Sequence, residues 1–273
     1  MKCVYCHNEG NKKISKLSVN DIRYIVENSK GLKLTNMRLT GGEPLIHPDI
    51  YKICKMLSEE YNLKVGINTN CIEIDKIIYM IKKGWIDRVI VGLDYFDGVV
   101  SKQSPIGKTS KEILSNILKI KKLGCNVSIS TVYNNNYDNI FKLVDWCVNN
   151  KIRIKIIELI KNEIHENSDL NYIKMRDSII KDYKFKVKID ELEEYNCYID
   201  NFNVVSFFPS LCRLRRCDIC KKIHLRITSE GNIKQCIHYE NNDKSVIGKN
   251  SRANILEEIN RDVDYHYEVK NEV

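Results

Sequence analysis

Two groups of cysteines and one glycine-rich turn carry the residue types best suited to chemistry in this chain. Cys3-Val-Tyr-Cys6 opens it, and Leu39-Thr-Gly-Gly-Glu-Pro44 follows. Further on, Cys217-Asp-Ile-Cys220 and Cys236 flank His224-Leu-Arg-Ile-Thr228 and the turn Ser229-Glu-Gly-Asn232, with fifteen residues between Cys220 and Cys236. Thiolates are soft ligands of zinc and of iron–sulfur clusters, and a CxxC pair taken alone suits zinc, a redox couple or a cluster. The second group would make a zinc ribbon if Cys212 joined it. Eleven cysteines are an odd number, and 273 residues are too many to need disulfide staples, so metal or cluster ligation accounts for them better. Cys54, Cys125 and Cys147 fall within or beside predicted helices and are expected to be buried, inert thiols. His47 and His238 lie near motifs and receive no role.

The elements that must position these groups are legible from period and punctuation. Short β-branched runs, Asn36 to Thr40, Lys64 to Asn70, Arg88 to Asp94, Asn126 to Tyr133 and Arg153 to Ile160, read as strands. Between them lie helical stretches near Pro48 to Glu60, Ile74 to Lys83, Lys111 to Leu123 and Tyr137 to Asn149. An earlier helix starts near Ser18, whose side chain can cap free backbone N–H groups. The expected fold is α/β: a partial (β/α)6 TIM-like barrel of parallel strands, its first strand missing, with a C-terminal Cys-rich extension. In such architectures the site gathers at the C-terminal strand ends, which places Gly41 to Pro44, Thr69, Asn70, Asp94, Tyr133 and Glu158 on one face. The rhythm stops near Lys161. Residues 1–160 are therefore expected to form the partial barrel, and 161–273 an extension closing its mouth.

Composition narrows the class. A 43% hydrophobic and 29% charged chain is globular, and no apolar run approaches the roughly 18 to 20 residues of a membrane helix. No secretory succession follows Met1, so the expectation is a cytoplasmic protein without membrane contact. The formal charge of +8, from 44 Lys and Arg against 36 Asp and Glu, suits anionic ligands without calling for nucleic acid.

Cys3, Cys6 and the Gly41-Gly-Glu-Pro44 turn together resemble the radical S-adenosylmethionine (SAM) family. There a CxxxCxxC loop after the first strand holds a 4Fe-4S cluster, and a GGEP turn after the second receives the SAM amino group. The resemblance makes Cys3 and Cys6 the second and third ligands and puts the first four residues before Cys3, upstream of Met1; the expectation is a start codon assigned inside the gene. It sets Tyr5 beside adenine. Glycines allow close backbone approach, and Glu43 is placed to support the loop or the ammonium group. Asn68-Thr-Asn70, Val91-Gly-Leu-Asp94 and Ile156-Ile-Glu-Leu-Ile160 extend the match, which implies that Gly41, Gly42, Glu43, Pro44, Thr69, Asn70, Asp94 and Ile160 contact SAM. Cys71 stands where the family usually has Gly, and Gly92 where it often has Ser.

Cys217, Cys220 and Cys236 resemble the second 4Fe-4S motif of one branch, the GTP 3',8-cyclases of molybdenum-cofactor biosynthesis, with two extra residues between Cys220 and His224. That likeness implies GTP as substrate, with Arg38 and Arg226 among its cationic contacts. Asn36, Ser128 and His224 replace cations of the branch, and the chain ends in Asn271-Glu-Val273 in place of paired glycines. Arg213, Arg215, Arg216, Lys221 and Lys222 stand close by, either as replacement cations or as a solvated loop. The resemblance further implies an electron donor such as flavodoxin or ferredoxin, and a homodimer is among the expected states. Competing expectations are a radical SAM peptide maturase, another nucleotide-modifying enzyme, and an inactive metal-binding paralogue.

Overall fold

The computed structural model describes residues 15–32, 34–96, 109–159, 168–211, 214, 216, 225–233 and 244–260. Ser18 opens α1 (Val19–Asn28) as expected. Its hydroxyl accepts from the Asp21 amide at 3.1 Å, while the Asp21 carboxylate accepts from the Ser18 amide at 2.8 Å, so two otherwise free donors are satisfied reciprocally. The β-branched runs become β1 (Asn36–Leu39), β2 (Lys64–Thr69), β3 (Arg88–Gly92), β4 (Asn126–Tyr133) and β5 (Arg153–Glu158). The crossover helices between them are α2 (Ile50–Lys55), continued by a wider π turn over Met56–Glu60, then α3 (Ile74–Lys82), α4 (Ser110–Lys122) and α5 (Tyr137–Asn150).

The β/α rhythm does not end the sheet. Beyond α6 (Ser168–Tyr183), the strands β6 (Lys186–Ile189), β7 (Tyr195–Ile199) and β8 (Phe202–Phe208) join it, in the order β1-β2-β3-β4-β5-β8-β7-β6. Strands β1 to β5 and β8 run parallel to one another, and β7 pairs antiparallel with both β8 and β6. This is an α/β fold on a mostly parallel eight-stranded sheet. β7 turns into β8 through Asp200 and Asn201, both left-handed at φ 48 and 66. Two successive positive φ values define the tight hairpin whose twist matches antiparallel strands, and Asp and Asn tolerate that conformation.

Register decides which side chains share a face, because residues opposite each other in paired strands project the same way. One face carries Leu39, Ile67, Val89 and Val127 in one row and Val91, Ile129, Ile154, Val205 and Cys197 in the next. Most of these are fully buried and form the core with Leu57, Ile77, Ile117 and Leu143 from the covering helices. The other face is polar. Its rows run Arg38, Gly66, Arg88, Asn126; then Asn68, Ile90, Ser128, Arg153; then Gly92, Ser130, Lys155, Ser206, Asn196.

At the C-terminal side, β9 (Asn232–Ile233) pairs with β10 (Lys244–Ser245), and α7 (Ser251–Asn260) follows. Ile233, Val246 and Ile255 make a small second core with Ile25 of α1. Arg252 donates to the Asn28 and Lys30 carbonyls at 3.1 and 2.7 Å, and the Tyr24 hydroxyl donates to the Gly248 carbonyl at 2.7 Å. The expected turn at Ser229 to Asn232 is present: the Gly231 amide donates to Thr228 and the Thr228 amide to Asn232. Gly231 has φ +78, and a Cβ there would lie 2.1 Å from Ile247 Cδ1. Only glycine fits without rearrangement.

Candidate active site

The turn after β1 is organised by Glu43. Its Oε1 accepts from the Leu45 amide at 3.1 Å and the Thr69 hydroxyl at 2.8 Å, and its Oε2 accepts from the Asn70 amide at 2.8 Å. One carboxylate therefore locks the end of β1 to the end of β2. The Thr69 hydroxyl also accepts from the Cys71 amide at 3.0 Å, and the Asn70 Oδ1 accepts from the Ile72 amide at 2.9 Å. Pro44 starts a 3-10 turn over Pro44–Ile46, in which Pro44 and Leu45 are buried and the missing N–H costs nothing. Gly41 and Gly42 are exposed, Gly41 has φ +134, and no atom lies within 4 Å of a Cβ built on either. Together they form an open backbone cradle beside a rigid carboxylate, a shape that fits the amino-acid portion of a SAM molecule.

Asp94 performs a similar service one strand further on. Its Oδ1 accepts from the Val132 amide at 3.0 Å and the Thr131 hydroxyl at 3.4 Å, and its carbonyl accepts from Asn136 Nδ2 at 3.0 Å. Burial pushes its carboxyl above the usual aspartate value despite those bonds. Glu158 at the end of β5 is buried and accepts from the Ser210 amide at 2.7 Å. Tyr133 packs near Tyr172, with ring centroids 6.0 Å apart. His47 has a structural place, with Nε2 3.0 Å from the Leu17 carbonyl and Nδ1 accepting from the Asp49 amide.

The sequence-derived site residues Cys3, Tyr5, Cys6, Ile160, Cys217, Cys220 and Cys236 lie outside the described residues, as do His224 and the basic residues Arg213, Arg215, Lys221 and Lys222. Among the described residues no group of three His, Cys, Asp or Glu could hold a metal ion. The described thiols Cys54, Cys71, Cys147 and Cys197 are buried and Cys125 is half-buried. Burial pushes Cys54 and Cys197 up to about 12 and Cys125 up to about 11, so they are poor nucleophiles at neutral pH. Cys71 has φ 60, the left-handed region that glycine adopts most easily.

Sequence reasoning missed most of the cations on the polar face. Arg38 has no carboxylate partner among the described residues; burial first, then Arg88, hold its guanidinium below the ordinary arginine value. Gly66 sits between the two, with a Cβ built there 3.8 Å from Arg88 Cβ and 3.9 Å from Arg38 Cγ. On β5, Arg153 Nη2 and Lys155 Nζ meet the two oxygens of Glu194 at 3.1 and 3.4 Å. The Lys155 ammonium also lies 3.8 Å from the Phe208 ring centroid. Burial holds its pKa below the usual lysine value, and Arg153 and Arg38 push the same way against the pull of Glu194. Arg226 lies on the C-terminal hairpin, next to Ile227, whose strand contact is with Ile233. Ser15 and Ser229 hydroxyls, 2.9 Å apart, link that hairpin to the segment before α1.

A family model described as the Radical SAM superfamily matches residues 1–147. This chain belongs to that superfamily. SAM and iron–sulfur chemistry come with membership, and the radical SAM fold accounts for the position of Gly41 to Pro44 at the strand ends. The chain is 25% identical over 251 residues to a probable GTP 3',8-cyclase of Methanococcus maripaludis, covering 89% of this chain and 82% of that protein. It is 28% identical over 283 residues to a GTP 3',8-cyclase of Clostridium botulinum, covering 96% and 85%. Among solved structures it resembles Streptococcus suis SuiB, with a TM-score of 0.66 at 19% identity for the form bound to S-adenosylmethionine and 0.69 at 18% for the form bound to precursor peptide SuiA. Those alignments take in 97% of this radical SAM chain but only 62% and 63% of SuiB.

Proposed function

We propose that this radical SAM enzyme acts on a nucleotide polyphosphate, GTP foremost, by taking hydrogen from the ribose 3' carbon in the first step of 3',8-cyclisation. That reaction would place it in molybdenum-cofactor biosynthesis. The observation that carries the reading is Arg38: an exposed guanidinium with no carboxylate partner among the described residues, beside Arg88, on the polar sheet face below the Gly41-Gly42 cradle. Like charges side by side favour an anion between or above them. The two cyclases that align with most of the chain support the same substrate.

In this reading Gly41, Gly42 and Pro44 shape the SAM cradle, Glu43 holds it open, and Thr69, Asn70, Asp94, Ile160 and Tyr5 complete the SAM site. Cys3 and Cys6 serve an N-terminal 4Fe-4S cluster, and Cys217, Cys220 and Cys236 a second one; Arg226 joins Arg38 in holding substrate. A reductant such as flavodoxin or ferredoxin would act as electron donor in the cytoplasm. Held by these residues, a cluster and SAM would supply one-electron cleavage of a SAM C–S bond and, from it, a carbon radical able to take a hydrogen atom. The chain's own residues must hold the ribose within reach and keep water out, and the strand-end network of Glu43, Thr69 and Asp94 provides the rigidity for that.

The test is GTP deuterated at the ribose 3' carbon, given to the anaerobically reconstituted enzyme with SAM and a strong reductant. Deuterium is expected in 5'-deoxyadenosine. Its absence at millimolar GTP, with iron and sulfide fully loaded, would reject GTP and leave the superfamily assignment standing. Transfer from a peptide substrate in its place would favour a maturase, the reading that the uncharged Asn36 and Ser128 on the polar face would then suit.

A further inference from the structure

We infer that Arg153 is a phosphate-gripping residue, oriented by Glu194, Asn196 and Ser206 and acting on the same polyanion as Arg38; this rests on the nucleotide reading above. The geometry of its guanidinium carries the inference. One edge is fixed: Nη2 donates to Ser206 Oγ at 2.8 Å, Glu194 Oε1 at 3.1 Å and Asn196 Oδ1 at 3.4 Å, and Nε donates to Ser206 Oγ at 3.3 Å. Among the described residues Nη1 donates to nothing, and 43% of the side chain remains accessible. With the Nε and Nη2 donors taken up, the two N–H groups of Nη1 remain for a phosphate oxygen, and the anchored plane loses little freedom on binding it.

Position supports the same role. Arg153 is the cross-strand partner of Ser128, in the row that runs through Ile90 to Asn68. Lys155, two residues along the same face, feels both Arg153 and Arg38, so the cations of β1 and β5 bear on one region. Glu194 is the acid that pairs with Arg153 and Lys155, and neither Arg38 nor Arg88 has one among the described residues. The surplus is positive, which suits a polyphosphate and not a neutral ligand.

The experiment uses the fully reconstituted enzyme and measures binding of inorganic tripolyphosphate, GTP and guanosine. Arg153→Gln is expected to weaken tripolyphosphate and GTP by about tenfold or more, in line with losing one charge-assisted contact, while guanosine binds as before. Adding Ser128→Lys to that variant returns a cation to the same row and should recover most of the loss. Unchanged tripolyphosphate affinity in Arg153→Gln would overturn the inference. So would an equal loss for guanosine, or a Ser128→Lys variant that restores nothing, since both assign the effect to packing of β5 against β8. The two readings separate cleanly. Tripolyphosphate binding that depends on Arg153, without deuterium transfer from GTP, keeps the grip and rejects GTP; transfer from GTP with a KM indifferent to Arg153→Gln does the reverse.

Discussion

Both carboxylate oxygens of Glu43 are taken up by the chain itself, by Leu45, Thr69 and Asn70. Its part in the site is therefore to hold two strand ends in register beneath an open glycine cradle. Glu43→Gln tests this at the residue scale. An amide keeps one acceptor but turns an N–H toward the Asn70 amide, so about 1.5–3 kcal/mol of charge-assisted bonding is lost. Thermal unfolding should fall and SAM affinity with it, whereas Glu43→Asp, which keeps the charge but shortens the reach, should lose SAM affinity alone or first. Equal SAM affinity in Glu43→Gln and the parent would remove Glu43 from this role. The motif was visible in the sequence; its partners were not, because Thr69 and Asn70 lie a helix and a strand away and only the parallel pairing of β1 with β2 brings them back.

Elements divide in the same way. β1 to β5 and α2 to α5 follow from β-branched runs alternating with helical periods, signals that each segment carries alone. β6 to β8 lie beyond Lys161, where the sequence reads only as an extension after the β/α rhythm, and nothing local says that β8 lies beside β5 and carries Ser206 to Lys155. The hairpin that makes this possible rests on Asp200 and Asn201. Asn201→Val, a β-branched residue forced to φ 66, should cost about 1–2 kcal/mol in chemical denaturation, while Asn201→Gly should be neutral or stabilising. The expected consequence reaches the site. Weakening β7 and β8 loosens Asn196 and Ser206, so the Val variant should also weaken tripolyphosphate, and the Gly variant should not.

On the scale of the whole molecule, the C-terminal hairpin and α7 are held to α1 by a small core of Ile25, Ile233, Val246 and Ile255. Gly231 lies beside it, against the Ile247 side chain. Gly231→Ala places a methyl against Ile247 in a left-handed backbone, and the expected cost is about 1–3 kcal/mol, read as a lower unfolding midpoint and faster proteolysis after Phe208. Ile247→Ala in the same chain should recover the steric part and leave the backbone part; a double variant no better than the single one would place the strain elsewhere. Residue order and spacing by themselves determined the radical SAM character of the chain, its β/α rhythm and the strand-end position of Gly41 to Pro44, Asp94 and Glu158. These signals are local or of fixed separation, and one-dimensional reading captures them. Which cations stand together was decided only in three dimensions. Arg38, Arg88, Arg153 and Lys155 are scattered over three strands, and of these the sequence marks only Arg38, through the family resemblance. Strand register and sheet order put them on one polar face with Glu194, because pairing fixes the side of the sheet to which every side chain projects.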